Sequence, residues 1–177
     1  AKDDFDKAID LEPKDYDLLL EIYSVLDNEG YGAAGNGYLQ TALEMGKKSM
    51  TDTQKGMVYY YMGDYEMARQ FLEKSKNTSK QSITYLGMTY EKLGDYNYAC
   101  SLYHNYLLGE EDAQLYNQLG MCKMQMEEYE EALTAFQAGM KVENCPCIQS
   151  LKFNEIVAYE YLGEFQKAAV LMESYLL

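Results

Sequence analysis

The sequence predicts an all-α chain, an array of antiparallel helix pairs, and three observations predict it. A short phrase recurs along the chain: Gly63-Asp64-Tyr65 returns as Gly94-Asp95-Tyr96 and as Gly163-Glu164-Phe165. Other positions keep step with that phrase at offsets of three, four and seven residues, the spacing of one helix face and not of a strand. Only two prolines, Pro13 and Pro146, interrupt 177 residues, so helices have few breakers.

The repeat fixes the elements in order. Glu127-Glu128-Tyr129 is a degenerate copy of the phrase, and Gly30-Tyr31 is an earlier one without its acid. The turn aromatics therefore fall at 31, 65, 96, 129 and 165, with spacings of 34, 31, 33 and 36. Three residues after each stands alanine: Ala34, Ala68, Ala99, Ala132 and Ala168. Seven after stands a large side chain: Tyr38, Leu72, Tyr103, Phe136 and Met172. Six before lies Tyr59, Tyr90 or Tyr159, replaced once by Lys123, and nine before lies Gly56, Gly87 or Gly120, replaced once by Ile156. Glycine after about a dozen helical residues ends one helix, and the acid that follows caps the next. Glycine inside an isolated helix costs roughly 0.8–1 kcal/mol against alanine, so its recurrence at one offset points to close packing there. Helices are expected near 3–12, 14–28, 31–46, 50–62, 65–76, 80–93, 96–108, 112–126, 129–143, 147–162 and 165–177. The chain thus reads as a single array over 1–177, about five hairpins with turns near 30–31, 63–65, 94–96, 127–129 and 163–165. One hairpin cannot bury its apolar face alone, and stacking supplies the core.

The small residue in the first helix, the aromatic three residues later, Gly-Asp-Tyr, then alanine and a bulky residue resemble the tetratricopeptide repeat. Phe5, Ala8 and Pro13 match the tail of a preceding, partial repeat at 3–13. The chain departs from the family pattern in having no tryptophan and in lacking proline at most repeat ends. The resemblance implies a right-handed superhelical solenoid whose first helices line a concave surface that holds an extended peptide or a partner helix.

Composition narrows the function. Hydrophobic residues make up 47% of the chain, which excludes wholesale disorder. A net charge of −14 repels phosphate backbones and anionic leaflets, so neither nucleic acid nor direct membrane contact is expected. No apolar run approaches the ~20 residues that span a bilayer. The chain opens without Met and in mid-pattern and closes on the apolar stretch 168–177, as an excised fragment does. An exported or anchored full-length protein therefore stays open. Cys100, Cys122, Cys145 and Cys147 lack the dense spacing of a disulfide scaffold and lean towards a reducing, cytoplasmic setting.

Catalytic constellations are hard to assemble. His104 is the sole histidine, beside Tyr103 and Tyr106 on a second helix, with no partner to activate it as a base. Glu110-Glu111-Asp112 reads as a helix start. Cys145-Pro146-Cys147, two thiols and one distant histidine, falls short of a four-ligand zinc site and reads as a loop between hairpins. Cys100 and Cys122 read as small packing residues. No enzymatic activity, cofactor or metal is expected.

Carried onto this chain, the family's concave surface selects residues at fixed distances before each turn aromatic. Twelve before come Thr53, Thr84, Asn117 and Phe153; eight before come Met57, Met88, Met121 and Val157. Five before come Tyr60, Glu91, Met124 and Glu160, and four before come Tyr61, Lys92, Gln125 and Tyr161. The three methionines at one offset form a soft row suited to apolar guests, or else pad contacts between first helices. Tyrosines add rigid area with a polar tip. Repeats of the family that capture acidic chaperone tails use lysine, arginine and asparagine here; only Asn117 and Lys92 could contribute, amid Glu91 and Glu160, which argues against that role. The expected partner is a protein or peptide segment with apolar anchors and basic flanks. The alternatives are a spacer or homodimerisation module acting through an uncapped apolar end at 169–177, and a peptide-sensing regulator whose effector domain lies outside this sequence.

Overall fold

A computed structural model describes residues 7, 15–46, 48–75 and 78–176, with the side chains of Asn28, Ala33, Ala34 and Met45 left aside. Apart from Lys7, the expected first helix near 3–12 and the partial repeat at 3–13, with Phe5, Ala8 and Pro13, lie outside the described residues. Among them stand ten helices and no strand: α1 Tyr16–Asn28, α2 Gly32–Gly46, α3 Asp52–Tyr61, α4 Tyr65–Lys74, α5 Lys80–Lys92, α6 Tyr96–Leu107, α7 Ala113–Gln125, α8 Tyr129–Lys141, α9 Ile148–Tyr161 and α10 Phe165–Tyr175. The chain divides into two compact units, Ala1–Thr89 and Tyr90–Leu177, the division falling inside α5.

Each hairpin closes through the same turn. In the first unit the Gly63 N–H donates to the Tyr60 carbonyl and the Asp64 N–H to the Tyr59 carbonyl, both at 3.0 Å, with Gly63 at φ 78°. Asp95 to Tyr90, Glu128 to Lys123 and Glu164 to Tyr159 repeat the longer bond in the second unit at 2.9–3.0 Å. These paired bonds satisfy the orphan carbonyls of a helix end and require a left-handed residue, which glycine supplies without Cβ strain. The aspartates then cap the next helix: Asp64 accepts from the Met67 N–H and Asp95 from the Tyr98 N–H, each at 3.1 Å. Glu128 and Glu164 make no such cap bond. The longer side chains pair instead with Lys123 and Lys167.

The first hairpin corrects one expectation. It also closes through this turn, with Gly30 at φ 81° and the Tyr31 N–H donating to the Leu26 carbonyl. Tyr31 therefore occupies the position of the acid, not of the turn aromatic, and every later position in that hairpin moves by one. Leu39, fully buried, takes the place expected for Tyr38, which is only half-buried. Gly35 takes the place expected for Ala34, and a Cβ built on it would lie 2.7 Å from the Tyr23 ring.

Two of the glycines at the close-packing offset, Gly56 and Gly120, behave as expected. A Cβ on Gly56 would meet the Leu72 side chain at 2.4 Å, and one on Gly120 would meet the Phe136 ring at 2.3 Å. Leu72, Phe136, Ala68 and Ala132 are all buried. In the first unit the core gathers Tyr16, Leu19, Tyr23, Leu39, Met57 and Val58; in the second, Ala132, Phe136, Leu151 and Ala158.

Candidate functional site

In the first unit, the first-helix surface of α1, α3 and the start of α5 is largely closed. Thr53 is buried and Met57, 3% exposed, belongs to the core, so the expected methionine row does not surface there. Tyr60, Tyr61, Thr84 and Met88 are half-buried. The hydroxyls of Tyr61 and Tyr85 share a 2.5 Å hydrogen bond, and the Tyr23 hydroxyl donates to the Tyr61 carbonyl at 3.3 Å. Tyr60 packs edge-on against Tyr61 and Tyr85, with ring centres 5.7 and 5.5 Å away. Burial and the Tyr61 hydrogen bond push the Tyr85 phenol well above its ordinary range, so it stays protonated. A cavity of about 130 Å³ lies beside them, its walls including Asp17, Glu21, Met57, Tyr61 and Tyr85. Asp17 is engaged by the Gln54 side-chain amide at 2.9 Å.

The second unit is open where the first is shut. Met121 is 43% exposed and Tyr161 64%; Phe153 and Gln125 are also exposed, while Asn117, Met124 and Val157 are half-buried. Met121, Met124, Gln125, Val157 and Tyr161 line one cavity of about 390 Å³ between α7 and α9. Asn154 donates to the Asn117 side-chain carbonyl at 2.8 Å and fixes the two helices' facing amides. Of the projected residues, Phe153 lies outside this cavity, packed towards Tyr175 at 6.1 Å between ring centres. Glu91 is drawn away from the groove, its carboxylate accepting from the Tyr103 hydroxyl at 2.5 Å. Burial raises the pKa of Glu91, opposed by that bond and by Lys92.

Sequence reasoning missed four residues of this cavity: Glu127, Tyr129, Phe136 and Asn154. Tyr129 stacks on Tyr161 with ring centres 5.2 Å apart and planes 24° from parallel. The repeat pattern assigns Tyr129 to the turn and Phe136 to the core, yet their offsets carry the signal: residues that follow the turn fold back beside the end of the preceding helix. Asn154, next to the projected Phe153, has no such signal.

Outside the first-helix surfaces, a cavity of about 640 Å³ lies between α6 and α8 over α7, with Cys100, His104 and Lys123 among its walls. Cys100 and Cys122 are buried and free. The sulfurs of Cys145 and Cys147 approach to 3.5 Å, and burial with the Cys145 hydrogen bond pushes the Cys147 thiol up to about 11. Among the described residues no group of three or more histidine, cysteine or acidic side chains could hold a metal ion, and no helix is long and apolar enough to cross a membrane.

A family model described as Tetratricopeptide repeat matches residues 53–82 and 113–144, in register with the hairpins α3–α4 and α7–α8. The chain carries tetratricopeptide repeats. Several solved structures superpose on it. YrrB, described as a TPR protein with an unusual peptide-binding site, does so at TM-score 0.61 and 22% identity, covering 97% of this chain and 90% of its own. MamA AMB-1 gives 0.67 at 18% identity, covering 84% of this chain and 94% of its own. BtubC (BKLC) from P. vanneervenii gives 0.65 at 16% identity, covering 98% and 84%. At such identities the likeness establishes the all-α repeat fold. No curated protein matches this sequence. Tetratricopeptide repeats in general mediate protein–protein interaction.

Proposed function

We propose that this chain is a non-enzymatic scaffold, one array of repeats that holds a peptide or protein segment against the first helices of its second unit. One observation carries the reading: Met121, Met124, Val157 and Tyr161 border a single open cavity of about 390 Å³, a size suited to one or two apolar side chains. Methionine there adapts to the shape of a guest, and tyrosine gives area at low entropic cost. Gln125 and Asn154, in the same wall, offer the amide groups that hold an extended backbone in register. The peptide-binding site named for YrrB supports the reading by analogy of fold.

The test is Met121→Glu. A carboxylate at that wall should weaken binding of a peptide captured by the wild-type chain at least about tenfold, since burying an unpaired charge costs more than one such factor. The thermal midpoint should be unmoved, because Met121 is already exposed. Unchanged affinity overturns the proposal.

A second reading, association through the face of α10, is favoured by the exposed Phe165, Val170 and Leu176 on and beside that helix. Light scattering of wild type against Val170→Lys separates it: a dimer that dissociates on substitution supports association, and a monomer in both removes it.

A further inference from the structure

Glu127 departs furthest from the repeat pattern. At the same turn position stand Gly30, Gly63, Gly94 and Gly163, with φ between 77° and 83°, whereas Glu127 adopts φ 61°. A side chain in the left-handed region crowds its own carbonyl, and glutamate lacks the short polar arm by which asparagine or aspartate eases that strain. Strain kept at one of five equivalent turns is a reason to ask what the side chain does there. Glu127 lines the cavity between α7 and α9, beside the stacked rings of Tyr129 and Tyr161. No lysine or arginine lines that cavity. Lys123, the nearest base in sequence, is taken by Glu128. Glu127 has no ion-pair partner among the described residues. Burial first, and then the Glu127 charge, raise the pKa of the Tyr129 phenol.

We propose that Glu127 and the Tyr129–Tyr161 pair form a subsite for a basic side chain of the bound peptide, arginine before lysine. The guanidinium plane lies against the exposed ring of Tyr161 while its N–H groups donate to the Glu127 carboxylate. Arginine is preferred because its flat, weakly hydrated cation stacks on a ring and offers two parallel donors to a carboxylate. The chain's net charge of −14 adds long-range attraction for such a guest. This inference rests on the groove reading above and names the chemistry of its guest.

The experiment uses acetylated hexapeptide pools, each with one fixed residue, and fluorescence polarisation with the whole chain. Pools with fixed arginine should bind about tenfold more tightly than pools with glutamate fixed at the same position, with lysine between them. Glu127→Gly should lose that preference while its thermal midpoint rises, because the strain is relieved. Glu127→Gln should lose the preference without the rise. A wild-type chain that binds apolar pools but ignores arginine overturns the subsite alone, as does an arginine preference that survives in Glu127→Gly. Failure of every pool to bind, or full binding by Met121→Glu, overturns the groove and the subsite together.

Discussion

The two units run the same repeat yet spend their first-helix surfaces differently. In the first, tyrosines from α1, α3 and α5 hydrogen-bond to one another, Met57 sinks into the core, and the cavity beside them is about 130 Å³. In the second, Met121 at the same offset stays at the surface and about 390 Å³ opens beside it. The difference teaches that the repeat frame determines which residues face inward, while the partner across the gap determines whether they meet protein or a guest. In the first unit the Tyr61–Tyr85 hydroxyl bond closes the gap between first helices; in the second the Asn117–Asn154 amide pair spans them beside an open cavity.

The largest expected effect sharpens this contrast. Phe136 fills the hollow over Gly120 and also lines the open cavity, so Phe136→Ala should cost about 3–5 kcal/mol in urea unfolding and weaken peptide binding as well. The equivalent Leu72→Ala, over Gly56, should cost about 2–4 kcal/mol and leave binding alone. Equal losses of binding in both would erase the distinction between the units.

A smaller effect breaks the closed surface. Tyr85→Phe strands the Tyr61 hydroxyl and should cost about 1 kcal/mol, as should Tyr61→Phe, whereas the double variant should cost clearly less than their sum. Additive costs would mean that the 2.5 Å bond contributes little.

The smallest is a pH effect on Glu91. Its folded pKa is raised by burial, so the native state binds a proton more readily than the unfolded chain and loses stability as pH rises through that folded value. Glu91→Gln keeps an acceptor for the Tyr103 hydroxyl. It should unfold at a higher temperature than wild type at neutral pH, and the gap should shrink in acid. A gap that widens in acid would show that the Tyr103 bond outweighs burial.

Most of the fold is legible in the sequence because it rests on short-range periodicity. Helix ends agree with expectation to about two residues, since glycine and the following acid mark them chemically. The first hairpin misleads because Tyr31 looks like the turn aromatic; only the left-handed backbone at Gly30 shows that it stands one place earlier. The site is less legible. Offsets select Met57, Met88 and Met121 as equals, but exposure depends on the helix opposite, which no local pattern encodes. Glu91 projects onto the groove by its offset and instead holds Tyr103, a choice of rotamer rather than of position. Glu127 shows in the sequence only as a turn glycine replaced; that its carboxylate lines the cavity depends on the fold.

The hydrogen-sized hollows at Gly56 and Gly120, each filled by a bulky neighbour from the second helix, carry a consequence for how such an array diverges. In the last hairpin Ile156, nearly fully buried, stands where the glycine would be, and pliable Met172 stands where the ring or leucine would be. The first helix has gained volume, while its mate presents a flexible side chain that can give way. Substitutions at these two sites should therefore drift in compensating couples, one growing as the other shrinks or softens. Hairpins that have adjusted to each other in this way would share a backbone while becoming unrecognisable to each other by side chain.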